Sequence, residues 1–525
     1  MNRNRIVLSL ALLILFSSIS SRLYSQVSKP GEQAAPQSER KPEPAPEPKE
    51  SQSATHGVLT LESARIEYTA TAGTLVLRDA EGKARASVFY VAYVKDGVED
   101  PAARPVTFSF NGGPGSAAVW VQFGAFGPKK LQMDDEGRAL PPPGTLVDNP
   151  YSILDESDLV FIDPVGTGFS RPAPGVDPKQ FHGLRGDIES VGEFIRLWTA
   201  RNKRWASPKF LAGESYGTTR SAGLALFLQQ RYGMYLNGII MISTILNWQD
   251  QDAYPGNDMP FIVHLPSYTA AAWFHKKAAP DLQKDLLSTL KQAETFALGE
   301  YATALLQGDW LPDERRRDIA QKLARFTGLS VDYIERANLR IEIMRFCKEL
   351  LRPDGETIGR LDTRFTGYDR DAVGEHFEFD PAGEAVNVGY VAMLNDYLRR
   401  TLRYESDLVY EYSARLRNWT WDENANKFAN VAEDLRSALT QNPALKVLFA
   451  SGYYDLATPY FDTPFSVAQM GLPQSLRGNV TIAYYEAGHM MYIRRADHAK
   501  LKKDVQAFIR GALSRRPPPP SAPNI

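Results

Sequence analysis

The stretch Lys209-Phe210-Leu211-Ala212-Gly213-Glu214-Ser215-Tyr216-Gly217 decides the reading of this chain. A short apolar run enters Gly-x-Ser-x-Gly, and a segment with helical character follows from Thr218 to about Tyr232. That layout predicts a serine held on a tight turn between a strand and a helix, with its hydroxyl exposed. Gly213 and Gly217 lack a Cβ, so strand and helix can approach closely around the serine. The N-terminus of the following helix favours negative charge developing at the same place.

Working outward, strands and helices alternate on both sides of this turn. Arg104–Phe110, Asp158–Asp163 and Asn237–Ser243 read as strands, the latter two as short continuous apolar runs typical of buried strands. Gly186–Ala200 has helical apolar spacing through Ile188, Val191, Phe194, Ile195 and Trp198. This alternation predicts a mainly parallel sheet covered by helices on both faces. Upstream, Ala64–Thr69, Thr74–Arg78 and Ala86–Val94 read as antiparallel edge strands separated by turns. From about Leu246 to Phe428 the character changes. Leu282–Leu298, Arg315–Phe326 and Val331–Leu350 have helical periodicity, which predicts a largely helical cap insertion over residues 246–430. Sheet signals return at Ala444–Ser451 and Asn479–Tyr485, and a terminal helix is expected over Ala496–Leu513. The expected division is therefore a core of 57–245 and 431–514 interrupted by the insertion, with a Pro-rich tail at 515–525.

The first 25 residues read as a signal peptide: Arg3 and Arg5 precede an apolar core, Ile6–Phe16, and small polar residues follow. The apolar core is short for a membrane span, and an uncleaved N-terminal anchor is the alternative to a cleaved signal. Residues 26–56 are rich in Pro, Glu, Lys and Ser and predict a disordered linker. An exported enzyme, periplasmic or secreted, is the expectation. Net charge is −2, which leaves no nucleic-acid footprint. Cys347 is the only cysteine, so no intramolecular disulfide can form. Pro164-Val-Gly-Thr-Gly-Phe-Ser170 is a glycine-rich loop after a strand, but it has neither a Walker lysine nor Gly-x-Gly-x-x-Gly spacing. No motif calls for a metal or an organic cofactor.

A serine hydroxyl needs a base, and the base needs an orienting carboxylate. In this architecture they follow in the order Ser, Asp or Glu, His. One late strand runs into Ser451-Gly-Tyr-Tyr-Asp455-Leu-Ala-Thr-Pro459, and the next into Glu486-Ala-Gly-His489-Met490. Asp455 and His489 are thus the candidate partners of Ser215.

With these stretches, Asn111-Gly-Gly-Pro-Gly-Ser116 and Asp163–Ser170, the chain resembles the serine carboxypeptidase family, peptidase family S10, of the α/β-hydrolase fold. The resemblance implies nucleophile Ser215, base and acid His489 and orienter Asp455. It places the oxyanion hole on the backbone N–H groups of Gly113 and Tyr216. It also implies a peptide substrate with a free C-terminus, whose carboxylate would be recognised by Asn111 and Glu214 together with a second glutamate and a tryptophan. The chain departs from that pattern, because Ala125 falls at the second glutamate and Ser109 at the tryptophan. Tyr453 replaces an acidic residue and Glu486 a glycine. The altered clamp keeps an esterase or an acyltransferase on the same triad as an alternative, and a non-catalytic binding protein as a third.

Overall fold

The computed structural model describes residues 46–514 apart from 63, 417, 418, 422, 423 and 425. The expected signal segment, most of the linker and the Pro-rich tail lie outside the described residues. Among the described residues, nine strands run through the main sheet: β1 (Gln52–Thr60), β2 (Arg65–Arg78), β3 (Ala84–Lys95), β4 (Val106–Phe110), β5 (Asp158–Ile162), β6 (Lys209–Ser215), β7 (Gly238–Thr244), β8 (Lys446–Gly452) and β9 (Val480–Tyr485). They lie side by side as β1-β2-β3-β5-β4-β6-β7-β8-β9, and a two-residue strand, Arg171–Pro172, pairs with β3. Every neighbouring pair from β5 to β9 is parallel, and β1, β2 and β3 are antiparallel additions at one edge.

The parallel strands β4, β5 and β7 are buried at every residue, as expected of strands covered on both faces. Helices α1 (Leu184–Arg201) and α2 (Tyr216–Tyr232) bury Ile188, Phe194, Ile195, Leu224 and Leu228 against one face, where α3 (Ala432–Gln441) adds Leu435 and Leu439. Helix α4 (Arg495–Leu513) covers the other face with Leu501, Val505 and Ile509. Parallel order with helices on both faces is the α/β-hydrolase arrangement expected from the sequence.

Two edge-strand expectations are corrected. Thr69 and Thr74 do not flank a turn: β2 runs through Ala70–Gly73 because β1 pairs with it on one side and β3 on the other, in unbroken register. The linker expected to extend to residue 56 ends earlier, since β1 already pairs Gln52 with Gly73. Just before it, Glu50 accepts the Val76 N–H and pairs with Arg201.

Between β7 and β8 the segment 259–401 is mostly helical. Met259–Phe274, Leu286–Phe296 and Asp313–Thr327 pack around Leu265, Tyr268, Tyr301, Ile319, Leu323 and Phe346, a core separate from the two sheet faces. The helix expected over 331–350 is two helices, Val331–Arg336 and Ile343–Glu349. The break falls at Asn338 and Leu339, both at positive φ. Among the described residues, no helix is long and apolar enough to cross a membrane.

Candidate active site

β6 delivers Ser215 to the sheet's carboxyl edge, where ligands bind in open α/β sheets. Ser215 has φ 59° and ψ −131°, a conformation that non-glycine residues rarely adopt and that the surrounding structure must hold in place. The neighbours explain how. A Cβ on Gly213 would lie 2.2 Å from the Gly217 carbonyl oxygen, and one on Gly112 would lie 2.4 Å from the Tyr216 nitrogen. The Asn111–Ser116 loop is therefore stacked directly on the turn. Gly113, the next residue, is exposed, and its N–H has no protein partner among the described residues. The first turn of α2 adds its own outward-pointing amides.

The Asp455 loop leaves β8 and the His489 loop leaves β9. His489 Nδ1 and Asp455 Oδ2 are 2.8 Å apart, and both residues are buried. Asp455 is held in turn by the N–H groups of Ala457 (2.7 Å) and Thr458 (2.9 Å) on Oδ1, and by the Thr458 hydroxyl (2.6 Å) on Oδ2. Burial disfavours the imidazolium, but the charge and hydrogen bond of Asp455, with Glu214 beyond, outweigh it and raise the His489 pKa.

The sheet sets His489 against the serine turn. The last pair of the β6–β7 ladder is Ser215 with Thr244, after a bulge at Ser243. The Ser243 hydroxyl, at a residue of φ 54°, donates to the His489 carbonyl (2.6 Å). His489 is thereby pinned to the strand next to the one carrying Ser215, and neighbouring strands are only about 4.8 Å apart. Among the described residues, no hydrogen bond joins Ser215 to His489; where such a pair is catalytic, the bond often tightens only around substrate.

Asn111 and Glu214 are brought together: Asn111 Nδ2 donates to Glu214 Oε1 (2.9 Å), and Asn111 Oδ1 accepts the Val121 N–H (3.1 Å). Burial pushes the Glu214 carboxyl up to about 7, with Asp455 adding to the effect and His489, Tyr492 and Asn111 opposing it. Ser109 and Ala125 are both buried, and neither is bonded to this pair among the described residues. The Ser109 hydroxyl is spent on the Ala212 carbonyl (3.1 Å), and the Ala125 carbonyl accepts from His498 (2.8 Å) and Asn149 (3.1 Å).

Three further groups support the site without any motif to announce them. Arg220 grips Asp187 through two nitrogens (2.7 and 3.1 Å) and donates to the Asn111 carbonyl (2.7 Å), while Tyr216 donates its phenol to the same Asp187 (3.0 Å). This buried pair ties α1, α2 and the Asn111 loop together. Second, the insertion reaches back to both late loops. The Leu361 carbonyl accepts the His489 N–H (2.7 Å), Asp362 Oδ2 the Gly488 N–H (2.9 Å) and the Arg360 carbonyl the Leu456 N–H (3.0 Å). Third, Tyr492 stands against Glu214 from the turn after His489. Charge and a buried Arg–Asp partnership were readable in principle for Arg220; for the backbone contacts of 360–362 no sequence signal exists.

Residues 67–263 match the family described as serine carboxypeptidase, Peptidase S10. Over 22% of this chain it is 31% identical to serine carboxypeptidase-like 15 of Arabidopsis thaliana, covering 26% of that protein. Over 29% of this chain it is 27% identical to the lysosomal protective protein of Mus musculus, covering 30% of that protein. The alignments thus span about a quarter to a third of the length of these relatives. The structure of Kex1Δp, a prohormone-processing carboxypeptidase from Saccharomyces cerevisiae, superposes over 85% of this chain and 92% of its own with a TM-score of 0.50 and 14% identity, a likeness of fold. Sequence match and fold agree: residues 67–263 are similar to the serine carboxypeptidase family, and the likeness of fold extends over most of the chain.

Proposed function

We propose that this protein is an exported serine-type carboxypeptidase, periplasmic or secreted, that hydrolyses C-terminal peptide bonds through an acyl-enzyme on Ser215. The observation that carries the reading is the 2.8 Å Asp455–His489 contact on loops that the sheet sets beside a strained serine turn. Asp455 fixes the imidazole with Nδ1–H toward itself, which leaves Nε2 as the base. The serine oxygen attacks the scissile carbonyl as its proton passes to Nε2, and the oxyanion forms against the N–H groups of Gly113 and Tyr216. Removing one such donor costs roughly 3–4 kcal/mol of transition-state stabilisation. His489 then protonates the leaving amine and later activates the water that releases the acyl group. Asn111 and Glu214 would receive the substrate's terminal carboxylate. Residues 1–25 would be removed on export, leaving no membrane span, and 246–430 would act as the cap that lines the substrate pocket.

The buried positions of Ser109 and Ala125 favour one second reading, an esterase or acyltransferase on the same triad. Digestion of free peptides, C-terminally blocked peptides and small esters, side by side with mass-spectrometric readout, separates them. Stepwise shortening from the C-terminus is expected, together with fluorophosphonate labelling that Ser215→Ala abolishes. Turnover of esters with free peptides left intact would replace the carboxypeptidase reading by the esterase one, and absent labelling would remove both in favour of a binding protein.

A further inference from the structure

Glu214 Oε2 and the Tyr492 hydroxyl are both shielded from solvent, and neither has a hydrogen-bond partner among the described residues. They nonetheless stand side by side with Asn111: the phenol sits against the Glu214 carboxyl and the Asn111 amide without reaching hydrogen-bond geometry to either. Tyr492 itself is fully buried in the turn Met491–Ile493, three residues after His489, and its ring lies where a Cβ on Gly124 would clash at 2.3 Å. Buried polar atoms are rarely left without partners, and such atoms call for an explanation. Here two of them converge on the residues that would receive a substrate carboxylate.

We propose that Tyr492 is the partner of Glu214 in recognising the peptide's C-terminal carboxylate, taking the place of the second glutamate that the family resemblance puts at Ala125. The proposal rests on the carboxypeptidase reading and concerns the same site. Chemistry distinguishes the two pairings. Two adjacent carboxyls cannot both ionise easily, so they share a proton and carry a negative charge over much of the acid range. A carboxyl beside a phenol holds no charge until the carboxyl ionises, because burial and the neighbouring Glu214 and Tyr390 keep the Tyr492 proton in place. Below that point Glu214 and Tyr492 each offer an O–H, and Asn111 has a second amide hydrogen beside the one given to Glu214. Three neutral donors facing one anion need no negative charge to be removed first. Such a site retains a peptide carboxylate up to about pH 7, where Glu214 ionises.

The test is equilibrium binding to the full chain carrying Ser215→Ala, so that nothing is turned over. The ligands are an N-acylated dipeptide with a free carboxylate and its C-terminal amide, titrated from pH 5 to pH 8. The expected result is tighter binding of the acid at pH 5, with the advantage fading as pH passes about 7. Adding Tyr492→Phe should weaken the acid about tenfold at pH 5, the scale of one hydrogen bond to a charged group, and leave the amide's affinity unchanged. As a measurement that leaves the hydroxyl in place, 3-fluorotyrosine at position 492 should shift its ¹⁹F resonance with the acid and not with the amide. Equal weakening of both ligands by Tyr492→Phe, or a ¹⁹F signal indifferent to the acid, overturns the role of Tyr492. Equal binding of acid and amide by the Ser215→Ala chain itself overturns the carboxypeptidase reading as well, whereas fluorophosphonate labelling of Ser215 judges the triad separately.

Discussion

Two residues of the candidate site hold protons more tightly than free side chains do, and the proposed reaction asks opposite things of them. Burial brings Glu214 to about 7, and His489 is raised because Asp455 and Glu214 overcome its burial. His489 must be neutral to take the serine proton, so kcat should climb as pH rises through its raised pKa. Glu214 must be protonated to face a carboxylate, so KM for free peptides should also climb as pH rises through about 7. Efficiency toward free C-termini should therefore peak near pH 7, because below it KM gains nothing further while kcat falls, and above it KM rises. Glu214→Gln keeps a donor in place and cannot ionise. In that variant the KM limb should flatten while the kcat limb stays, as read from steady-state kinetics between pH 4 and pH 9. A KM profile that survives the substitution would place the carboxylate somewhere other than Glu214.

At the scale of elements, the late loops are held by each other and by residues 360–363, between β7 and β8. Gly488 shows why the sequence has glycine there: a Cβ would lie 2.4 Å from both Asp362 Cβ and the Leu361 carbonyl oxygen. Gly488→Ala must push residues 361–362 away or shift His489, whose N–H is bonded to that same carbonyl. Displacement of a catalytic group by about 1 Å costs on the order of 100-fold, so both turnover and the rate of fluorophosphonate labelling should fall by that order, with circular dichroism of the sheet unchanged. Unaltered labelling kinetics would show that the latch is idle. This contact also marks where sequence reading stops. Residues 360–363 are Arg-Leu-Asp-Thr, with no periodicity or motif, and two of their contributions are backbone carbonyls that any residue supplies. The buried parallel strands were legible, because both faces are covered and apolar runs such as Leu159–Ile162 result. The triad candidates were legible through their order along the chain. β1 was not, because its residues up to Gly57 are at least partly exposed, so Gln52–Gly57 carry no apolar alternation. Ala70-Thr-Ala-Gly73 reads as a break by composition, and pairing on both sides overrides it.

Over the whole molecule, the buried carboxyls link stability to pH. Burial raises Glu214, Asp163 and Asp250 to about 7, Asp455 contributing at Glu214 and Asp462 at Asp250. A carboxyl raised in the folded state stabilises it fully below the unfolded value of about 4, and that contribution is lost as pH rises through the folded value. Between pH 6 and pH 8 each of the three should therefore give up about 1.4 kcal/mol. His498, His182 and His275 run the other way: burial depresses them, so the unfolded chain alone takes up protons below about pH 6.5 and stability recovers as pH rises past it. The two sets partly cancel in the total, so the carboxyls are resolved by difference. Asp163 accepts the Ala118 N–H (2.8 Å) and the Tyr410 hydroxyl (3.2 Å) on Oδ1, and Asp163→Asn can keep both while losing the proton. Urea unfolding of the chain and of Asp163→Asn at pH 6 and pH 8 should show the variant's stability falling less by about 1.4 kcal/mol across that interval, whatever its absolute stability. Parallel pH dependences for the two proteins would mean that Asp163 is ionised in the fold at pH 6, and that the donors around it, rather than its burial, set its charge.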